Sequence, residues 1–331
     1  MKAILEVTSR VLRITPALLL YRLLQLVSFP FVFLYIMARL AFRRAYWSHF
    51  GERLGFLPRT FSRTKSGCIW LHAVSAGEVI SAVPLIQQLR ADQPRIPIYL
   101  STSTLAGRRA AEHRLMAQVD GIFYAPYDYV SCVRRVLRRI RPALLLILET
   151  EIWPNLFNEA KRCGVGLAIV NARISDRSWP RYRRARRFFG GILCLPDLVM
   201  VQSATDRSRF AELGATESKL YALGNLKYDA AILRRETTHI PTFGAQHIWI
   251  AASTVGPNER GSSVRHTIDE DQFVIAGFQN LAAEFPGLLL ILAPRQPDRF
   301  DEVVIKLKNA GVPFLRRTEL RLEGADALQL P

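Results

Sequence analysis

Glu78 stands where a short apolar segment, residues 69–71, gives way to the small-residue turn Ser75-Ala76-Gly77. The run Trp70-Leu71-His72-Ala73-Val74-Ser75-Ala76-Gly77-Glu78-Val79 predicts a strand, a tight turn and a helix beginning near Glu78. That places a carboxylate at the carboxyl edge of a sheet, where open α/β sheets bind ligands. A carboxylate shielded there can act as a general base on a hydroxyl. The helix N-terminus pulls its pKa down, so desolvation must do any raising. The same position also fits an ordinary N-terminal helix charge. Small residues at Ser75 and Gly77 let backbone amides approach an anionic ligand. A second acidic cluster, Glu149-Thr150-Glu151-Ile152-Trp153-Pro154-Asn155, follows the apolar segment 143–148. In extended backbone, residues two apart point the same way, so Glu149 and Glu151 form a like-charged pair that raises one pKa or demands a cation. Trp153-Pro154 would wall such a site. The alternative is one exposed glutamate and one helix-capping glutamate.

Further candidates lie downstream. Lys227 follows Gly224-Asn225 and can neutralise a phosphate or remain a solvated linker lysine. Ala251-Ala252-Ser253-Thr254 and Ala293-Pro294-Arg295-Gln296-Pro297-Asp298-Arg299 each end a predicted strand. The hydroxyls of Ser253 and Thr254 and the guanidinium of Arg295 suit a nucleotide phosphate, whereas Arg299 is read onto a helix surface. His72 can orient its turn or react.

The elements that must position these groups form a regular series. Apolar segments at 69–71, 98–100, 122–124, 143–148, 167–170 and 198–201 alternate with helix-periodic segments at 79–90, 106–116, 129–140, 154–163 and 181–193. This alternation predicts a doubly wound parallel sheet. Asp128 is placed to cap the helix near Tyr129, and Pro154 suits a first helical turn. The stretch Asn225-Leu226-Lys227-Tyr228-Asp229 leads into a polar connection that ends near Pro241 and Gly244; then come strand 248–252, helix 271–284, strand 288–293 and helix 298–310. Residues 1–47 are therefore read as an anchor with a basic flank, 48–225 as one Rossmann-like domain and 226–331 as part of a second.

The chain has 331 residues, half of them hydrophobic, and a net charge of +17 from 45 Lys and Arg against 28 Asp and Glu. Such a surplus calls for an anionic partner: nucleic acid, an anionic lipid surface or a phosphorylated substrate. Cys68, Cys132, Cys163 and Cys194 are too scattered for a zinc site or disulfide framework and fit a reducing compartment. An apolar stretch at 16–42, interrupted by Arg22, Gln25, Pro30 and Arg39, is followed by Arg43, Arg44, Tyr46 and Trp47. This pattern suits an uncleaved membrane anchor, spanning or embedded in one leaflet; a buried core helix is the alternative. Two arginine clusters, Arg134 to Arg141 and Arg173 to Arg187, would meet an anionic bilayer or stay solvated. No helix-turn-helix or similar module supports nucleic-acid binding.

Six motifs in order resemble the Kdo (3-deoxy-D-manno-octulosonic acid) transferases: Gly51-Glu52-Arg53-Leu54-Gly55, His72 through Glu78, Glu149 through Asn155, Asn171-Ala172-Arg173-Ile174-Ser175, Gly224-Asn225-Leu226-Lys227-Tyr228-Asp229, and Ala293-Pro294-Arg295. The resemblance implies an α/β GT-B glycosyltransferase with two Rossmann-like domains, anchored at the cytoplasmic face of the inner membrane. It implies transfer of Kdo from CMP-Kdo to the lipid A precursor lipid IVA, with inversion, no cofactor and no metal. Glu78 matches the family's general base, Glu149 and Lys227 its transition-state stabilisers, and Arg295 with Pro294 its CMP contact. Two departures stand out. Segment 255–272 is longer and more polar than the family's usual link, and the later Gly-rich and His-containing segments have no counterpart before Pro331. A C-terminally truncated chain is therefore expected, with a second domain that is incomplete. The rival readings are a non-catalytic membrane-surface remnant and another nucleotide-sugar glycosyltransferase.

Overall fold

A computed structural model describes residues 15–42, 47, 49–62, 67–233, 244–257, 268–296 and 299–319. The basic flank at Arg43, Arg44 and Tyr46, the polar connection through Pro241, the centre of segment 255–272, Pro297, Asp298 and residues 320–331 lie outside them. The chain divides into two compact units, Met1–Arg235 and Glu236–Pro331.

In the first unit, seven parallel strands run in the order β3-β2-β1-β4-β5-β6-β7. They are β1 (Cys68–His72), β2 (Ile98–Thr102), β3 (Gly121–Tyr124), β4 (Pro142–Leu148), β5 (Gly166–Ala172), β6 (Leu198–Val201) and β7 (Leu220–Ala222). Their near-continuous apolar runs suit strands covered on both faces. Alternate residues feed two cores. Trp70, Leu145, Ile147 and Ile169 enter one, with Phe61, Phe123 and Phe157; Ile69, Leu71, Leu146 and Leu148 enter the other, with Val79 and Ile86. The chain winds outward from β1 to β3 and then returns to lay β4 beside β1. The topological switch point therefore lies between the carboxyl ends of β1 and β4, the strands that Glu78 and Glu149 follow.

The helices are α1 (Pro16–Phe42), α2 (Phe50–Arg53), α3 (Ala76–Asp92), α4 (Leu105–Leu115), α5 (Val130–Ile140), α6 (Pro154–Arg162), α7 (Trp179–Arg184), α8 (Arg186–Leu193), α9 (Ala204–Glu212) and α10 (Leu226–Leu233). Three findings depart from the sequence reading. The predicted helix 181–193 is two helices meeting at Ala185, whose N–H is shared between the Arg181 and Tyr182 carbonyls. The residues after Asn225 form α10 rather than a plain connection, because Leu226 packs into the core beside α3. Asp128 does not cap α5; its carboxylate accepts from Asn155 N at 3.0 Å and Leu156 N at 2.8 Å, capping α6 instead.

Helix α1 carries a 23-residue stretch, Pro16–Ala38, long and apolar enough to cross a membrane, and only 6% of that window is buried. It is not a core helix. Leu23, Leu24, Leu26, Val27, Phe31 and Leu34 are exposed.

The second unit pairs β8 (His247–Thr254) in parallel with β9 (Leu288–Pro294), with α11 (Glu270–Glu284) and α12 (Phe300–Asn309) beside them. Its small core centres on Ile275, Val303 and Leu307. Arg299 is buried, not on a helix surface. It pairs with the fully buried Asp271 and donates to Thr254 O at 3.0 Å, because a guanidinium is the cation that this carboxylate needs.

Candidate active site

Glu78 occupies the third position of α3 and is 8% exposed. Ser75 caps the helix, accepting from Glu78 N at 3.3 Å while donating its hydroxyl to Glu78 Oε1 at 2.8 Å. Val74 N donates to Oε2 at 2.8 Å. This is a capping-box variant in which the acid, not only the cap, is held. Each carboxylate oxygen keeps a second acceptor site, and these are the ones the pinned geometry aims. The turn is fixed from the other side as well. Ser103 N and Thr104 Oγ1 both donate to Val74 O at 3.2 Å, and a Cβ on Gly107 would lie 3.0 Å from that carbonyl. Gly77 is exposed at the helix start, where first-turn amides lack intrahelical partners.

Glu149 follows β4 with φ +54°, left-handed backbone that a non-glycine residue adopts at a cost. The segment is a turn, so the extended two-residue alternation expected for Glu149 and Glu151 does not apply. Glu149 Oε1 instead meets Lys227 Nζ at 3.3 Å, and Glu151 Oε2 accepts from Trp153 Nε1 at 2.8 Å. The Trp153 ring lies edge-on to His72, with centroids 5.3 Å apart.

The three carboxyls influence one another. Burial raises the Glu78 pKa above the ordinary glutamate value; its hydrogen bonds from Val74 and Ser75 oppose this, and the charges of Glu151 and Glu149 add to the rise. Burial also raises Glu151, opposed by the Trp153 hydrogen bond and assisted by Glu149. Lys227 supplies the cation that such a cluster requires. His72 is fully buried, and desolvation lowers its pKa to about 4. Its Nδ1 lies 2.9 Å from Ser101 Oγ, which also accepts from Trp70 Nε1 at 2.8 Å. The ring is neutral at pH 7 and packs edge-on against Trp153.

Asn171, which opens one of the six motifs but was given no role from sequence, also belongs to the site. It lies in β5 with φ +57°, and its Oδ1 accepts from Leu226 N at 3.1 Å. It thereby seats the first turn of α10 and with it Lys227. Beyond that motif, its local signal is an asparagine at a strand end, a residue type tolerant of left-handed backbone.

In the second unit, Ser253 is exposed with φ +62°, whereas Thr254 is buried. Thr254 O accepts from Arg295 N at 3.1 Å, and β8 and β9 end in register at Thr254 and Pro294. The Arg295 side chain is exposed at that edge. The exposed Ser253 and Arg295 thus lie at one strand edge, with the Thr254 side chain buried behind them.

The titration order has a testable consequence. Glu151→Gln removes one of the negative neighbours of Glu78, so the Glu78 pKa falls. The acidic limb of any pH–rate profile governed by Glu78 is expected to move to lower pH, modestly, because burial is the larger cause. Profiles of kcat/KM for the two proteins measure this directly.

A parallel sheet doubly wound about a switch point, followed by a second α/β unit, is the architecture of the GT-B class. Solved structures with this fold include a UDP-N-acetylglucosamine 2-epimerase (TM-score 0.51, 12% identity, 74% of this chain and 66% of that one) and the UDP-GlcNAc 2-epimerase from Neisseria meningitidis (TM-score 0.51, 14% identity, 74% and 69%). The profile of the family described as 3-deoxy-D-manno-octulosonic-acid transferase (kdotransferase) matches residues 48–230, more than half of the sequence, and the chain belongs to that family. Curated relatives include the 3-deoxy-D-manno-octulosonic acid transferases of Haemophilus influenzae, 34% identical over 281 residues, and Bordetella pertussis, 32% identical over 277. These alignments cover 82% and 80% of this chain; it spans 62% of the length of each relative.

Proposed function

We propose that this protein transfers Kdo from CMP-Kdo to a hydroxyl of the lipid A precursor lipid IVA, with inversion at the anomeric carbon. The observation that carries this reading is the meeting of Glu78, Glu149, Glu151 and Lys227 at the switch point. Glu78 takes the proton of the acceptor hydroxyl. The oxygen so activated forms the new bond to the anomeric carbon of Kdo as the bond to CMP breaks and CMP leaves with the electron pair. Glu149 and Lys227 stabilise charge in the transition state. Ser253, Thr254 and Arg295 bind the nucleotide phosphate, and Pro294 adjoins Arg295 in the contact with CMP. No cofactor or metal enters these steps.

The acceptor is a lipid, and α1 fits a membrane role at the cytoplasmic face of the inner membrane. Tyr21, Arg22 and Gln25 hold its first half against the first unit. From Leu26 to Phe42 the helix extends roughly 25 Å at about 1.5 Å per residue. That is short of the about 30 Å hydrocarbon core. Helix α1 serves as a membrane anchor, spanning or embedded in one leaflet. The exposed Arg181, Arg184, Arg186 and Arg187 fall on α7 and α8, and α8 abuts α1 through Phe188 and Tyr21, so a basic face adjoins the apolar one and suits an anionic surface.

The test is transfer of labelled Kdo from CMP-Kdo to tetra-acylated lipid A precursor by this chain, beside the Haemophilus relative. Labelled lipid is the expected product. Absence of product with this chain while the relative turns over contradicts catalysis here and favours the non-catalytic surface reading, which acceptor-vesicle binding would then measure.

A further inference from the structure

Helix α1 does more than present an apolar face. Tyr21 donates its hydroxyl to Asp128 Oδ2 at 3.0 Å. Arg22 donates from Nε to Asn155 Oδ1 at 2.8 Å and from Nη2 to Glu159 Oε1 at 3.0 Å and Asn158 Oδ1 at 3.3 Å. Gln25 donates to Asp128 O at 2.9 Å and accepts from Asn155 Nδ2 at 2.8 Å. Arg134 Nε, on α5, closes the far side of Glu159 at 2.7 Å. Asn155 is 0% exposed and Glu159 2%.

An anchor needs none of this. Removing an arginine and a glutamate from water is costly, and a hydrophobic pair of equal volume would hold a helix as well. What the polar set adds is register: each group accepts only one arrangement of its partners. The arrangement fixes the first turn of α6. Asp128 grips that turn through the Asn155 and Leu156 amides, and Gln25 and Arg22 grip it through the Asn155 side chain. The turn begins at Pro154, directly after Glu149-Thr150-Glu151-Ile152-Trp153.

We infer that Tyr21, Arg22 and Gln25 are positioning residues for the acidic loop 149–153, so that seating of the apolar helix and placement of Glu149, Glu151 and Trp153 are one event. The coupling of helix to loop stands on this geometry alone; that it sets a reaction rate rests on the glycosyl-transfer reading. A displacement of about 1 Å at reacting groups can cost about 10²-fold in rate. The helix that meets the lipid would then also hold the carboxylates that act on it.

Hydrogen–deuterium exchange on the whole chain in phosphatidylethanolamine–phosphatidylglycerol vesicles tests the coupling without any need for turnover. The variants are Gln25→Ala, which orphans no charge, and Arg22→Ala with Gln25→Ala; Leu24→Ala, on the exposed face, is the control. Amides in 149–157 should exchange at least about 10-fold faster in the latch variants, while 142–148 keep their protection and vesicle sedimentation is unchanged. In the transfer assay the same variants should lose kcat by about 10²-fold with little change in acceptor KM, and Arg22→Lys should recover part of it. Wild-type exchange at 149–157 in Gln25→Ala and in the double variant overturns the inference. Should 142–148 lose protection in the double variant, Gln25→Ala decides alone. A loosened loop in a protein that transfers no Kdo would sink the glycosyl-transfer reading and leave the coupling intact.

Discussion

Glu78→Gln should lower kcat by roughly 10²–10⁴-fold, the range that a positioned general base contributes. The substitution suits the question because it leaves the local structure in place. The glutamine carbonyl can still accept from Val74 N, and its amide can donate to Ser75 Oγ, which already lies 2.8 Å from Glu78 Oε1. The cap made by Ser75 on the Glu78 amide does not involve the altered atoms. A lost helix-terminus charge costs about 0.3–1 kcal/mol, and relief of a desolvated carboxylate works in the other direction. Stability and lipid binding should therefore hold while turnover collapses. Near-normal turnover in a radiolabelled CMP-Kdo assay would remove Glu78 from the base role.

The second large effect is expected at Lys227. In the resting protein its bond to Glu149 spans 3.3 Å and the lysine side chain is 47% exposed. Exposed pairs of this kind contribute at most about 1 kcal/mol, so Lys227→Ala should barely move the thermal midpoint. Loss of a cation from a preorganised site during charge separation is another matter and commonly costs about 10²–10³-fold in kcat. There is also a titration signature. Without Lys227, three neighbouring carboxyls face one another with no cation beside Glu149. Ionisation of Glu78 becomes harder, and the acidic limb of the rate profile moves to higher pH, opposite to the shift from Glu151→Gln. Unchanged kcat together with a large fall in the melting midpoint would make Lys227 structural instead.

The sequence made the first unit readable where signals were local. The apolar runs of β1 and β4 and the helices between strands follow from residue pattern alone, and strand ends carry Glu78 and Glu149 wherever the sheet closes. Signals that depend on distant partners were not readable. Arg22 and Gln25 look like interruptions in an apolar stretch, because Asn155, Asp128 and Glu159 are more than a hundred residues away. Lys227 looks like a linker lysine until α10 packs on the core beside α3 through Leu226. Arg299 looks solvated until Asp271 meets it across the second unit. Asp128 is adjacent to one helix start and bonds to another. Helix α9 and strand β7 carry too few apolar positions to stand out, although Ser203, accepting from Asp206 N at 3.1 Å, marks the start of α9 as a regular cap.

Catalysis as proposed turns on Glu78 removing the proton from the acceptor alcohol. A crystal structure of the protein with the lipid A precursor bound, together with the unreactive remainder of the donor, tests it most directly. The attacking hydroxyl is expected about 3 Å from a Glu78 oxygen, with Val74 N and Ser75 Oγ still holding that carboxylate. A bound acceptor whose hydroxyls all lie remote from Glu78, with the carboxylate turned to solvent, would contradict it.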